Sequence, residues 1–218
     1  MKCQRLLDDV RKELNDPDEI RWLNLDLLAY LNDALLGLGV YRPDAISTTA
    51  AILLAAGTRQ ALPSGGLRLM KVTRNMGADG LTPGRAITIG DMASLDALSP
   101  NWHAEAGTGT VYEYFYDPLT PKSFFVYPGI PVSPAVYVEA TYQRVLTQLT
   151  DPESTLPVDD IYAPALREWM LYRAWGGDDE SSPNYTTARD RRMTFFNLLG
   201  AKAPADASAS AKPKAPPQ

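Results

Sequence analysis

His103 is the one histidine and Cys3 the one cysteine in 218 residues. With the carboxylates and a few Gly-rich turns, they are the groups from which chemistry could be built. A histidine acts as a general base where a nucleophile and an orienting acid converge on it. His103 stands in Pro100-Asn101-Trp102-His103-Ala104-Glu105, with Ser99 and Glu105 close along the chain. Closeness within one loop is weak ground for a dyad. His103 reads as a loop histidine beside Trp102 as packing anchor, with a small hydrolase using His103 as the alternative. Cys3 reads as a passenger. One Cys excludes an internal disulfide framework, and one Cys with one His excludes a zinc cluster.

Carboxylates group at Asp8-Asp9, Asp16/Asp18/Glu19, Asp159-Asp160 and Asp178-Asp179-Glu180. Metal or acid–base chemistry needs such groups on one wall of a pocket. These fall at helix starts and in loops, where capping and solvation account for them. Ser64-Gly65-Gly66 and Gly107-Thr108-Gly109-Thr110 lack the spacing and the Lys-Ser/Thr of a phosphate loop, and read as turns. There is no G-x-S-x-G elbow. No catalytic, cofactor-binding or metal residue is therefore expected. Arg189, Arg191 and Arg192 make a basic patch with no interleaved aromatics, better suited to salt bridges within an acidic protein than to nucleic acid.

The elements that would position these groups follow the apolar period. Leu6, Leu7, Val10 and Leu14 predict a helix that stops at Asn15-Asp16-Pro17. Asn24 is the candidate N-cap of a second helix, with Asp26 in its first turn and Leu27, Leu28, Leu31, Leu35 and Leu38 as its apolar stripe. Arg42-Pro43-Asp44 breaks it. From about residue 48 the period shortens to that of strands. Segments 48–54 and 59–62 run out and back around Gly57-Thr58. Segments 67–75 and 85–90 suggest a hairpin, followed by a short helix capped by Asp91. Strands at 110–117, 123–127 and 136–142 follow, with Pro128, Pro131 and Pro134 in the loop between the last two. Asp159 or Asp160 caps a helix reaching Gly176-Gly177, and Ser182-Pro183 opens the last, which ends at Gly200.

The predicted class is α+β: a helical bundle from the N- and C-terminal helices, an inserted mainly β subdomain, and an extended tail. The expected divisions are 1–45, 46–150, 151–200 and 201–218. The tail is almost wholly Ala, Pro, Ser and Lys and cannot bury enough to offset its ordering entropy. Net charge is −5, from 21 Lys+Arg and 26 Asp+Glu, which argues against a sequence-independent grip on nucleic acid. No apolar run approaches the roughly 18 residues of a membrane span, and the N-terminus lacks a signal-peptide core, so a soluble protein of a reducing compartment is expected. Eleven tyrosines and four tryptophans supply residues favoured at protein contacts. Tyr112, Tyr114 and Tyr116 share one strand face, either core or an intersubunit surface.

The ordered stretches Asp16-Pro17-Asp18 with Arg21-Trp22, Leu31-Asn32-Asp33-Ala34, Arg42-Pro43-Asp44-Ala45 and Gly57-Thr58-Arg59-Gln60-Ala61-Leu62-Pro63 carry a resemblance. Val72-Thr73-Arg74-Asn75-Met76-Gly77, Gly84-Arg85-Ala86-Ile87, Trp102-His103, Val126-Tyr127-Pro128 and 160–166 continue it. Over roughly residues 3–200 the chain resembles the head–tail adaptor (connector) proteins of tailed bacteriophages. The resemblance implies a structural virion protein without enzymatic activity or cofactor, made in the host bacterial cytoplasm and placed at the neck. It implies a ring of identical copies, commonly twelve, that joins the portal protein to a tail tube or nozzle protein. Genomic DNA would pass through the ring during ejection without specific binding, and no membrane would be involved. Another tail-tube, nozzle or head-completion role stays open. Lys202, Lys212, Pro213, Lys214, Pro216 and Pro217 of the tail are candidate portal contacts.

Overall fold

The computed structural model describes residues 1–176 and 183–200. The chain divides into two compact units, one from Met1–Ala45 with Leu146–Gln218 and the other from Ile46–Val145.

The first unit is helical. Helix α1 (Cys3–Leu14) buries Leu6, Leu7, Val10 and Leu14 and ends with Asn15 in the left-handed region, φ 54°. The following turn is organised by Asp16. Its carboxylate accepts the backbone N–H groups of Ile20 (3.0 Å), Arg21 (3.1 Å) and Trp22 (2.9 Å). Helix α2 (Asn24–Tyr41) starts one residue earlier than the sequence suggests: Leu23 is the N-cap, and Asp26 reaches back to its N–H. Asn24 is released from capping because its side chain is held by Arg11 and Glu19.

Helix α4 (Ala163–Trp175) packs against α1, α2 and α5 (Pro183–Gly200), so it is the hub of this unit. One turn of 3₁₀ helix at Asp160–Tyr162, capped by Asp159, leads into it. The expected cap Ser182 lies outside the described residues. Asn32 fixes the chain's return by exchanging two 2.9 Å hydrogen bonds with the backbone of Leu149.

The second unit holds two sheets around one core. Strands β1 (Ser47–Leu53), β7 (Tyr137–Arg144) and β3 (Gly66–Asn75) form an antiparallel sheet with β7 central. Val138 and Ala140 alternate inward from β7 and are fully buried. The second sheet runs β2 (Gly57–Ala61), β6 (Ser123–Ile130), β5 (Glu113–Phe115), β4 (Thr88–Ile89). Helix α3 (Met92–Leu98) starts as expected at Asp91, which accepts from the N–H of Ala93.

Four expectations for this unit are corrected. Segments 47–53 and 57–61 do not pair with each other; each joins a different sheet, because long-range partners β7 and β6 take their edges. The 85–90 segment begins as the return arm of a hairpin, with Asn75 N–H on the Arg85 carbonyl, and then leaves β3 to pair in parallel with β5. The strand expected over 110–117 is regular only at 113–115, and Pro128 lies inside β6, in the stretch where its register against β2 shifts. Asn75 closes the unit: its side chain donates to the carbonyls of Arg85 and Val111 and accepts from the N–H of Val111 at 2.8 Å.

Candidate functional site

His103 sits against Trp102, ring centroids 3.7 Å apart, with Nδ1 2.8 Å from the hydroxyl of Thr58. A hydroxyl beside an imidazole is half of a nucleophile–base pair. The other half is missing, since no carboxylate meets the ring among the described residues. Glu105 accepts from Ser99 (2.9 Å) and from Tyr127, and Asp96 accepts from the indole N–H of the fully buried Trp102. The arrangement seats Trp102 against Phe115 and Phe125, which is the packing role read for this loop. Cys3 is fully buried, and burial pushes its thiol up, away from the thiolate that nucleophilic chemistry needs.

The carboxylate groups have structural partners. Asp16 is held below the ordinary carboxylate range, first by the Trp22 N–H and further by Ile20, Arg21 and the Arg11 charge. Asp44 is lowered by the Arg42 guanidinium, which meets it at 2.7 and 3.0 Å. No group of three or more His, Cys, Asp or Glu is arranged to hold a metal among the described residues. Asp178, Asp179 and Glu180 lie outside them.

The arginine patch divides. Arg191 turns inward to Glu168 and Glu13, whereas Arg189 and Arg192 stay exposed. No aromatic interleaves with the patch along the chain, but in space Arg192 lies over the rings of Tyr172 and Phe196, one from α4 and one a helical turn away.

The three tyrosines do not form one surface. Tyr114 is 6% exposed and belongs to the core of the β unit, because it faces Val126 across the β5–β6 pair; it is withdrawn as an interface residue. Tyr116 packs partly buried on the same core. Tyr112 is 40% exposed, with the Arg85 guanidinium 4.6 Å above its ring. The tail candidates Lys202, Lys212, Pro213, Lys214, Pro216 and Pro217 lie outside the described residues.

A surface that the sequence reading passed over is on α2. Its inner stripe, Leu27, Leu28, Leu31, Leu35 and Leu38, is buried as expected. Its outer face is also apolar: Leu25, Leu36 and Val40 are 72, 70 and 74% exposed and fall, with Ala29, at intervals of four, seven and four residues along one side. A cleft of 320 Å³ runs beside them, lined by Ala29, Asn32, Asp33, Leu35 and Leu36 of α2 and by 146–148. The signal was present: Leu25, Leu36 and Val40 do not fit the inner stripe, so α2 is apolar nearly all round, which for a helix means burial on both sides. The arrangement suits packing against another protein surface and offers no reactive group.

Over residues 1–215 the sequence matches the family model described as SU10 adaptor protein. No curated protein matches it. The chain belongs to this family of phage head–tail adaptors, structural components of the virion.

Proposed function

We propose that this adaptor forms a closed ring of identical copies beneath the portal, joining portal to tail and continuing the DNA channel, with the outer face of α2 as a contact between neighbours. The observation that carries the reading is the exposed stripe Leu25–Leu36–Val40 on a helix already buried on its other side. Three such side chains, with under a third of their surface buried, forgo roughly 3–6 kcal/mol of burial, at about 1.5–3 kcal/mol for full burial of each. A head-to-tail contact repeated with closure gives a ring.

Charge supports a conduit. Residues 46–145 hold seven Lys or Arg and seven Asp or Glu, so the whole surplus of −5 falls on the helical unit and tail. An acidic ring does not retain the polyanion that passes through it. The tail, with Lys202, Lys212 and Lys214, is proposed to run onto the portal. Twelve copies is the number the family resemblance implies.

The test is a Leu36→Asp, Val40→Asp double variant assembled into particles. Both residues are exposed, so the monomer folds with wild-type helicity, and the reading expects particles lacking the adaptor and tail. Normal tailed particles carrying the variant would remove α2 from the interface.

A further inference from the structure

The α4–α5 surface holds a second feature that the adaptor reading does not use. Tyr185, Ala188, Arg189 and Arg192 follow one another at intervals of three, one and three residues, which places them on one face of α5. With Tyr172 and Gly176 of α4 they line a cleft of 240 Å³. Ala188 is its buried floor. Tyr172 is shared with a neighbouring cleft of 340 Å³ that also takes in Tyr30 and Arg173.

Among the described residues, the charges in the first cleft are not spent on carboxylates. Arg191, between the two cleft arginines, is consumed by Glu168 and Glu13, and Arg173 by Asp33 at 3.1 Å. Arg189 and Arg192 meet no carboxylate among the described residues. Arg192 is pre-oriented instead, with Tyr172 at 5.8 Å and Phe196 at 5.7 Å from its guanidinium. Such stacking holds the plane of the fork while leaving its N–H groups free to donate. Two guanidiniums that meet no carboxylate among the described residues, and two tyrosines, thus surround one concavity on a unit that carries the chain's whole negative surplus.

We propose that this cleft docks a short carboxylate-bearing segment of a partner protein, with Arg189 and Arg192 pairing its acidic side chains and Tyr172 and Tyr185 packing on its backbone. Charge complementarity selects carboxylates, and the cleft's size fits a few residues of peptide. Arginine and tyrosine in a pocket are the residue types that dominate binding energy at protein contacts. Nucleic acid is the poorer fit. Two phosphate contacts give a salt slope of only about −1.8, and the remaining phosphates of a duplex would face an acidic unit.

The test titrates the full chain with a hexaglutamate peptide at low salt, followed by calorimetry, with a hexaserine peptide, inorganic phosphate and a short DNA duplex as separate arms. The expected result is saturable hexaglutamate binding, no hexaserine binding, and at least a tenfold loss of affinity in Arg189→Gln, Arg192→Gln. Tyr185→Ala is the second variant and weakens binding without removing charge. Thermal unfolding of all variants should match wild type, since these side chains are exposed. Absent hexaglutamate binding, or binding unchanged in the double arginine variant, overturns the proposal. So does tighter binding of the duplex or of phosphate, which would make the cleft a phosphate site. The Leu36→Asp, Val40→Asp protein should bind hexaglutamate normally, so this outcome is independent of ring formation.

Discussion

Arg191 of α5 donates to both carboxylate oxygens of Glu168 of α4, at 3.2 and 3.0 Å, and also to Glu13 of α1. Glu168 is buried, and Arg167 stands 3.6 Å from it as a second cation. One guanidinium therefore ties three helices. Removing it strands a buried charge, which costs far more than the intact pair contributes. Arg191→Met should destabilise the helical unit by about 2–4 kcal/mol, the lower end reflecting Arg167. Pairing it with Glu168→Met should recover much of the loss. Chemical denaturation of the two variants checks this, and equal losses would show that the stranded charge is not the cause.

In the β unit the equivalent weak point is Asn75. Its amide and carbonyl satisfy three backbone groups from two segments, and the side chain is buried. Asn75→Leu leaves the Val111 N–H and carbonyl unpaired away from water, while the Arg85 carbonyl keeps the residue's own backbone N–H. At about 1–3 kcal/mol per stranded group, partly relieved by relaxation, the expected loss is roughly 3 kcal/mol. Urea unfolding followed by tryptophan fluorescence measures it.

Asp16 gives a pH dependence. Its carboxyl is held below its ordinary value by the Trp22, Ile20 and Arg21 N–H groups and by Arg11. A carboxyl lowered on folding adds stability that is complete above its unfolded pKa, near 3.9. That stability is lost as pH falls through the lower folded value. The Tm gap between wild type and Asp16→Asn should be widest at neutral pH and should close in acid below about pH 4. A gap constant from pH 7 to pH 2 would mean that the charge does not contribute.

Elements with a clean period were legible in the sequence. α1, the inner stripe of α2, the Asp91 cap and the Val138–Ala140 alternation all follow from spacing and turn chemistry. Pairing was not. The partners of β1 and β2 are 80 or so residues distant for β1 and 60 or so for β2 at closest, and loop composition carries no information about such contacts. The Tyr112–Tyr114–Tyr116 alternation was real, but regular strand covers only 113–115, so the faces diverge beyond it. The site was less legible still. Leu25, Leu36 and Val40 were surplus to one stripe, and only exposure shows that the surplus faces outward. Arg189 and Arg192 differ from Arg191 only by their direction around α5.

The tail can be separated from the body. A chain ending at Gly200 should keep the wild-type unfolding midpoint and ring contacts, because no described hydrogen bond depends on residues beyond it. It should bind purified portal rings at least tenfold more weakly if Lys202, Lys212 and Lys214 dock there. Sedimentation with portal rings reads the difference, and unchanged binding would exclude the tail as the portal contact.

The most direct measurement is an electron-microscopic map of the virion neck with this protein located in it. The account predicts a closed ring of identical copies between portal and tail, each pressing the Leu25–Leu36–Val40 face of α2 against its neighbour around an open channel. A single copy at the vertex, or a ring in which that face points into solvent, would contradict it.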